Sequence, residues 1–226
     1  MARTIKAPDE RRSELIAAAQ ELFYTKGYES TSVSDIVKSV GVAQGTFYYY
    51  FDSKSAILED MIAEMVAQMV AQFQDIIGDE TLSAIPKWQK ALQVTNNWKL
   101  DRKAEMIEIG RVLFSDDNIL LRHKLLKEVR KATAREMAKI IQQGVEEGTF
   151  HTKFIPETAE IVMTIVFSLS ETINELMFNP QDHDDPIPLV LRKQAAAQTA
   201  IEHLLGAPPG SMPLIDEATI TAWFTN

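Results

Sequence analysis

Two short helical patterns separated by one glycine constrain the fold of this chain most strongly. Apolar residues recur at i, i+3, i+4 and i+7 from Val33 to Val40, which predicts one face of a short helix. Gly41 follows at once, where a left-handed turn forms at little cost, and a second helical pattern extends from Ala43 to Tyr50. A helix, a glycine-containing turn and a second helix together predict a helix-turn-helix.

A further helix is predicted before this pair. Its apolar residues lie on one face, from Leu15 to Phe23 within a segment that begins at Ser13, and Gly27 can end it as a C-cap. The next helix starts at Thr31 or Ser32 as N-cap, with Asp35 three residues beyond Ser32, the spacing of a capping box. We therefore expect three short helices in the first fifty residues.

The rest of the chain is also predicted to be helical. Asp52 or Ser53 can cap a long connector helix, in which apolar residues recur about every four positions as far as Gly78. Further helical patterns, separated by segments rich in Gly, Pro, Asp and Asn, cover residues 82–100, 102–114, 119–145, 158–178 and 189–205. We therefore predict an all-α fold with a helix-turn-helix domain at 1–55, a connector helix at about 53–77 and a helical domain at 78–226.

Charge and composition restrict the function classes. Residues 1–55 contain seven Lys/Arg and seven Asp/Glu, so the whole net charge of −9 lies in the remainder of the chain. An acidic body repels polyanions, which confines any nucleic-acid contact to the N-terminal segment. Without cysteine there is no disulfide framework or thiolate metal site. The sequence lacks a signal-peptide pattern and an uninterrupted apolar run of membrane-spanning length, so we expect a cytoplasmic protein without a membrane partner.

The aromatic run "TFYYYF" has two faces when it is placed on a helix. At 100° per residue with Gln44 at 0°, Tyr48, Gly45 and Tyr49 lie at about 40°, 100° and 140°, whereas Phe47 and Tyr50 lie at about 300° and 240°. Phe47 can therefore pack inward, with Phe51 just beyond the helix. An amide, a glycine and phenols on the outward face suit contacts with base edges and phosphates in a major groove. The alternative for any aromatic run is core packing alone.

Residues 11–58 closely resemble the N-terminal DNA-binding domain of the tetracycline-repressor (TetR) family. The resemblance rests on the block "AA..LF...GY..TSV.DI" followed by "GV..GTFYYYF.SK", which covers about a fifth of the chain. It implies an all-α homodimer that represses transcription from double-stranded DNA and releases that DNA when a small ligand binds the C-terminal domain, with no cofactor.

The resemblance also implies roles for individual residues. Base edges would be read by Gln44, Gly45 and Tyr48, and the remaining DNA contacts, mainly to phosphates, would come from Thr31, Ser32, Thr46, Tyr49, Tyr50 and Lys54. Many relatives have a basic or hydroxyl residue in place of Gln44 and a Glu in place of Ala56. The base preference therefore stays open, and the connector helix is expected to lack a full capping box.

Two helices near the end of the sequence are candidates for a homodimer interface. The helix at 158–178 has an apolar stripe, and the helix at 189–205 combines apolar residues with the small-residue stretch "QAAAQTA", which permits close approach. The stripe residues are Ile161, Ile165, Leu169, Ile173 and Leu176 in the first helix and Val190, Ala197, Ile201, Leu204 and Leu205 in the second. Two such helices from each copy would form a four-helix bundle, although either stripe could instead be intramolecular core.

The middle helices are candidates for the effector site. Aromatic and thioether side chains suit bulky hydrophobic ligands, and a carboxylate among them would favour a cation. The candidate lining residues are Trp88, Trp98, Met106, Ile109, Leu113, Phe114, Met137, Met163, Phe167 and Glu171. Taken singly, each of these residue types is more often core or surface than ligand lining. We expect a hydrophobic effector, with a cationic one as a further hypothesis.

Two other function classes were weighed against a ligand-controlled regulator. An enzyme is disfavoured because the chain has only four histidines and no HExxH, phosphate-binding loop or nucleophile elbow. The "DHDDP" segment fits a solvated loop better than a metal cluster, so no metal site is expected. A DNA-binding architectural protein could instead dock a protein partner through Trp223 and Phe224 near the C-terminus.

Overall fold

The computed structural model describes residues 8–178 and 185–225, and within these ranges the protein is all-α, as predicted. The described residues contain no strand, and a 3₁₀ turn at Asp116–Asn118 precedes the longest helix. The helices are α1 Pro8–Lys26, α2 Val33–Val40, α3 Gln44–Tyr50, α4 Lys54–Gly78, α5 Ala84–Asp101, α6 Lys103–Leu113, α7 Ile119–Glu146, α8 Ile155–Phe178, α9 Ile187–Leu205 and α10 Glu217–Phe224. The sequence patterns predicted no helix at α10, where Asp216 caps the first turn by accepting from the Thr219 amide.

The N-terminal compact unit contains α1, α2, α3, α4 as far as Val66, and Ala104–Val112 of α6. Its core includes Phe47, Phe51 and Ile57. Side chains of α6 join α1 and α4 around a small cavity, in which Val112 lies near Phe23 and Met61. The division therefore falls inside the predicted connector helix, beyond residue 55, and a segment predicted to belong to the C-terminal domain lies in the N-terminal unit.

The C-terminal compact unit comprises 67–103 and 113 onward. Here α7 packs on α5 and α8, α9 on α8, and α10 on α5 and α9, around a single apolar cluster. Gly144 permits a close approach within this cluster, because a Cβ there would lie 2.1 Å from the ring of Phe150. Phe150 is fully buried, so the bare backbone of α7 forms one wall of its site.

Helix α8 is long and apolar enough to cross a membrane by length and composition, with a mean hydropathy of 1.4 over its most apolar window. The prediction that no segment spans a membrane rested on the lack of a long uninterrupted apolar run, and the apolar run of α8 is interrupted by Glu160 and Glu171. Its packing against α7 and α9 and the burial of Val162, Met163 and Leu169 agree with a core helix of a globular unit.

Candidate nucleic-acid interface

Helix α3 has the two faces that its sequence predicts. Phe47 is fully buried, with its ring 5.5 Å from that of Phe51, whereas Gln44 and Gly45 are exposed. Tyr48 and Tyr49 are 52% and 76% exposed, although aromatic rings of this size are seldom left in water. The buried aromatic side chains hold the helix in place while its amide, glycine and phenol groups remain free for contact.

The turn before α3 and the start of α2 are fixed by local hydrogen bonds. Gly41 adopts φ +72°, which supplies the left-handed conformation that the turn needs. Ser32 is the N-cap of α2: its hydroxyl accepts from the Asp35 amide at 3.1 Å, and the Asp35 carboxylate accepts from the Ser32 amide at 2.9 Å. This reciprocal pair is the predicted capping box, and it shows that the N-cap residue is Ser32 rather than Thr31.

A cation strengthens the same cap. The Lys26 ammonium lies 2.7 Å from the Asp35 carboxylate, so the end of α1 is joined to the start of α2. Together with the Ser32 amide and hydroxyl, Lys26 holds the pKa of the Asp35 carboxyl well below its usual range. The carboxylate therefore stays ionised and keeps the α2 N-terminus in one position at ordinary pH.

Thr31 has a different position from the one that the family resemblance implies. Its side chain is 2% exposed, and its hydroxyl donates to the Gly27 carbonyl oxygen at 2.8 Å. The hydroxyl satisfies a carbonyl at the end of α1. Thr31 therefore stabilises the turn between α1 and α2 from its buried side. Its burial does not support the expectation that its side chain contacts a phosphate.

Lys54, at the start of α4, is held by Tyr28. Its ammonium donates to the Tyr28 carbonyl oxygen at 2.7 Å and lies 4.0 Å from the centre of the Tyr28 ring. Burial lowers the pKa of Lys54, and burial also raises the pKa of the Tyr28 phenol. Tyr28 was absent from the candidate residues, because nothing in the spacing indicates that its carbonyl would meet a side chain 26 positions later.

A separate contact joins α1 to α4. Arg12 forms an ion pair with Asp60, and its guanidinium lies 5.3 Å from the centre of the Phe51 ring. Ser53 caps α4 by accepting from the Ala56 amide at 3.1 Å. The reciprocal bond of a full capping box needs a carboxylate at position 56, so Ala56 leaves the cap half complete, as predicted.

The comparisons with known proteins identify this arrangement. The family model described as "Bacterial regulatory proteins, tetR family" matches residues 15–61, and "Tetracyclin repressor-like, C-terminal domain" matches 106–178. The chain belongs to the TetR family. It is a DNA-binding transcriptional regulator of that family, whose similar members are regulators rather than enzymes.

Individual relatives of this TetR-family protein are distant. It is 25% identical to the transcriptional repressor KstR2 of Mycolicibacterium smegmatis over 65% of this chain and 71% of the relative. It is 27% identical to the fatty acid metabolism regulator protein of Bacillus subtilis over 76% and 86%, respectively. The crystal structure of FadR from B. subtilis with stearoyl-CoA has a TM-score of 0.59 at 23% identity, and the match covers 87% of this chain and 98% of that one.

The predicted effector-lining residues do not form one group. Trp88, Met137 and Met163 are packed in the apolar cluster of the C-terminal unit, which agrees with the alternative that they are core residues. Met106 and Ile109 lie in the N-terminal unit. The other members remain in the C-terminal unit: Leu113 and Trp98 are buried, Phe167 packs against the cluster, Glu171 is half-buried, and Phe114 stacks on Phe178 with ring centres 5.8 Å apart.

The stripes predicted for dimer contacts are mostly core. Leu169 and Ile173 of α8 are buried in the apolar cluster, as are the stripe residues Val190, Ala197, Ile201 and Leu205 of α9. Assigning those α9 residues to an intermolecular face was wrong, because they already pack within their own unit. The exposed side of α9 is formed instead by Arg192, Ala195, Ala196, Thr199 and Ala200, and Ile161 of α8 is 51% exposed.

The C-terminal segment packs on its own unit. Met212 donates its amide to the buried Glu202 carboxylate at 3.1 Å, and Asn96 donates to the Leu214 carbonyl oxygen at 2.9 Å. Trp223 and Phe224 are half-buried, and Phe224 packs against the apolar cluster. The hypothesis that Trp223 and Phe224 form an exposed patch for docking a protein partner is therefore not supported. Most of the "DHDDP" segment lies outside the described residues.

Proposed function

We propose that this protein is a cytoplasmic homodimeric repressor that binds a palindromic operator through α3 and leaves it when a small hydrophobic ligand binds the C-terminal unit. The observation that carries the proposal is the exposure of Gln44, Tyr48 and Tyr49 on a helix anchored by Phe47. Each of these two phenols keeps more than half of its surface in water next to an exposed amide, and such groups match the donors and apolar edges that DNA grooves contact.

The outward face of α3 divides into two kinds of contact. Gln44, Gly45 and Tyr48 would read base edges, with the glutamine amide suited to adenine. Phosphates would be held by Ser32, Thr46, Tyr49, Tyr50 and Lys54. The Lys54 ammonium has three N–H groups and gives one to Tyr28, so it can still donate to a phosphate from a position that Tyr28 fixes.

Dimerisation would use the exposed sides of α8 and α9. Small residues at Ala195, Ala196, Thr199 and Ala200 let a second helix approach closely, and Ile161 supplies exposed apolar area. A dimer would bring two recognition helices to successive major grooves about 34 Å apart, which a palindrome requires.

The class of ligand is proposed from what two similar proteins are named for or contain. The similar B. subtilis protein is named for fatty acid metabolism, and the FadR structure contains stearoyl-CoA. We propose a hydrophobic effector for this chain as well. A cationic effector would pair with Glu171, and titration with hydrophobic cations tests that version.

The DNA-reading step is tested by titrating operator and random DNA with Gln44→Ala. We expect weaker operator binding with little change on random DNA, because a base-edge contact contributes mainly to discrimination. Tyr49→Phe combined with Lys54→Ala should weaken binding to both DNAs. Gln93→Ala, the same change at an exposed position of α5, is the control. Equal losses on both DNAs for Gln44→Ala would contradict the base-reading role.

The dimer is tested with two matched isoleucines. Ile161→Glu should shift the protein towards monomer in analytical ultracentrifugation and weaken operator binding. Ile119→Glu, at an α7 isoleucine of similar exposure (55%), should do neither. A dimer that survives Ile161→Glu unchanged would remove this interface from the proposal.

A further inference from the structure

The C-terminal unit contains an open groove between α5 and the segment that leads into α10. Its volume is about 360 Å³, and both of its walls belong to this unit. This volume falls within the range of about 300–1,000 Å³ that is usual for small-molecule sites. None of the residues predicted to line the effector site borders the groove, so it is a separate candidate site.

One wall of the groove is a row of carboxamide side chains on α5. At 100° and 1.5 Å per residue, this row forms a stripe about 100° wide and about 12 Å long. Its members are Gln89, Gln93, Asn96 and Asn97, and Leu92 adds apolar area between them. A carboxamide offers a donor and an acceptor on neighbouring atoms and carries no charge.

Two of the four carboxamides are oriented by the opposite wall. Gln89 donates to the Ser211 carbonyl oxygen and Asn96 to the Leu214 carbonyl oxygen, each at 2.9 Å. Each of these amides keeps a second N–H group and its own carbonyl oxygen for a ligand. Gln93 and Asn97 are exposed, and their side chains make no hydrogen bond with another described residue. The row therefore combines fixed groups with free ones.

The opposite wall supplies a hydroxyl and a carboxylate. Thr219 is 8% exposed, and its hydroxyl has no hydrogen-bond partner in the described part of the chain. This hydroxyl is not among the fully buried unpaired atoms, so it stays accessible where Thr219 lines the groove. Asp216 accepts from the Thr219 amide at 2.7 Å through one carboxylate oxygen, which leaves its other oxygen for a ligand hydroxyl.

The charges of the groove favour an uncharged ligand. No Lys or Arg lines it, so an anion would lack a counter-charge. Asp216 is the charged lining residue, and it lies at the N-terminus of α10, whose partial positive charge partly offsets it. A hydroxyl both donates and accepts, as a carboxamide does, so several hydroxyls on one ring complement this set of groups.

We propose that this groove binds a saccharide, an uncharged ring with several hydroxyls. The hydroxyls bond to Gln93, Asn97 and Thr219, while the C–H groups of the ring pack on Leu92 and Ile215. The site is additional to that of the hydrophobic effector, and the inference goes beyond the proposed repressor function without depending on it.

The test is isothermal titration calorimetry on the full-length protein. The neutral probes are glucose, galactose, maltose and trehalose, and glucuronate and glucosamine are the charged counterparts of glucose. We expect at least one neutral sugar to bind, and to bind more tightly than either charged counterpart.

Three variants locate the binding. Gln93→Ala should weaken binding of the neutral sugar by about three- to tenfold, as expected for losing a hydrogen bond to the ligand. Thr219→Val removes the unpaired hydroxyl but keeps the shape of the side chain, and it should weaken binding to a similar degree. Gln68→Ala, at an exposed glutamine of α4 outside the groove, is the control and should change nothing.

Four results would overturn the inference: no binding of any neutral sugar, tighter binding of a charged counterpart, equal losses in Gln93→Ala and Gln68→Ala, or unchanged binding in both Gln93→Ala and Thr219→Val. Circular dichroism confirms that each variant is folded. Operator binding is measured separately, so failure of the saccharide site would leave the proposed repressor function standing.

Discussion

The two compact units differ in their aromatic residues. All five tyrosines lie in the N-terminal unit, and all three tryptophans lie in the C-terminal unit. Tyr48 and Tyr49 face solvent, whereas Trp88 and Trp98 are buried. A phenol combines an apolar ring with a hydroxyl that can reach a phosphate, while an indole gives the largest area to a core. Two tyrosines therefore serve an exposed surface in the N-terminal unit, whereas two tryptophans serve the interior of the C-terminal unit.

Cations join separate segments of the chain in both units. In the N-terminal unit, Arg12, Lys26 and Lys54 are each joined to another element, to Asp60, Asp35 and Tyr28, respectively. In the C-terminal unit, Lys87 donates to the Ile77 carbonyl oxygen and Lys103 to the Ala222 carbonyl oxygen. Cations therefore serve as ties in both units, and the placement of aromatic side chains is what distinguishes the units.

Phe47→Ala should give the largest effect and would sharpen the comparison between the units. Removing a fully buried ring costs about 3–5 kcal/mol of unfolding free energy. Tyr49→Ala, two positions away but exposed, should change stability by less than about 0.5 kcal/mol. Tyrosine absorbance follows the N-terminal unit and tryptophan fluorescence the C-terminal unit during urea titration. A Phe47→Ala shift confined to the tryptophan signal would contradict the assignment of Phe47 to the N-terminal core.

Glu202→Ala should give the next largest effect, and in the other unit. The carboxylate accepts from the Gln198 amide at 2.8 Å and from the buried Met212 amide. Losing it leaves that amide unpaired, at a cost of about 1–3 kcal/mol that the tryptophan signal should report. Glu160→Ala, on the exposed side of α8, is the control.

The same residue predicts a pH dependence. Burial alone would raise the pKa of Glu202, but the hydrogen bonds from Gln198, Met212 and Gly210 outweigh burial and lower it overall. A carboxyl with a lowered folded-state pKa stabilises the fold above its unfolded value of about 4.3, and this contribution is lost as the pH falls through the folded value. The stability difference between the unmodified protein and Glu202→Ala should therefore shrink in acid. A constant difference from pH 7 to pH 3 would contradict this.

Ser32→Ala should have a smaller effect, confined to the N-terminal unit. Loss of the N-cap of α2 costs about 1 kcal/mol. Ser39→Ala, an exposed serine in the last turn of the same helix, should be close to neutral. Because Lys26 and this cap together lower the pKa of the Asp35 carboxyl, the stabilising contribution of Asp35 should also disappear as the pH falls. Far-UV circular dichroism with tyrosine absorbance measures both effects.

Arg12→Ala should have the smallest effect on stability, because the Arg12 side chain is 40% exposed and solvent screens its ion pair with Asp60. We expect about 0.5 kcal/mol, with a double-mutant cycle against Asp60→Ala isolating the pair. A coupling as large as the Phe47→Ala effect would show that charge pairs, rather than aromatic packing, hold the N-terminal unit together.

Local signals predicted the helix-turn-helix region well. The capping box of Ser32 and Asp35, the left-handed Gly41 and the two faces of α3 each depend on residues within four positions of one another. Lys54 could not be placed in the same way, because its partner is a backbone carbonyl distant in sequence. Thr31 and Ser32 are adjacent hydroxyls, and only the folded turn shows which of them is buried.

The C-terminal unit was harder to predict for a physical reason. Methionine and aromatic residues at helical spacing are compatible with a filled core and with a ligand cavity, so periodicity alone could not decide for Met137 or Met163. Helix α9 has apolar or small residues on two sides, and only packing against α8 shows that Ile201 faces inward while Ala196 faces outward.

The close approach of Gly144 to Phe150 has an evolutionary consequence. A glycine inside a helix costs about 1 kcal/mol relative to alanine, yet a Cβ at this position would overlap the Phe150 ring. Substitution of Gly144 by alanine is therefore unfavourable while residue 150 is phenylalanine. Conversely, a smaller residue at 150 would leave a void while residue 144 is glycine. Positions 144 and 150 are therefore expected to change together, so a related chain should either keep both residues or replace both.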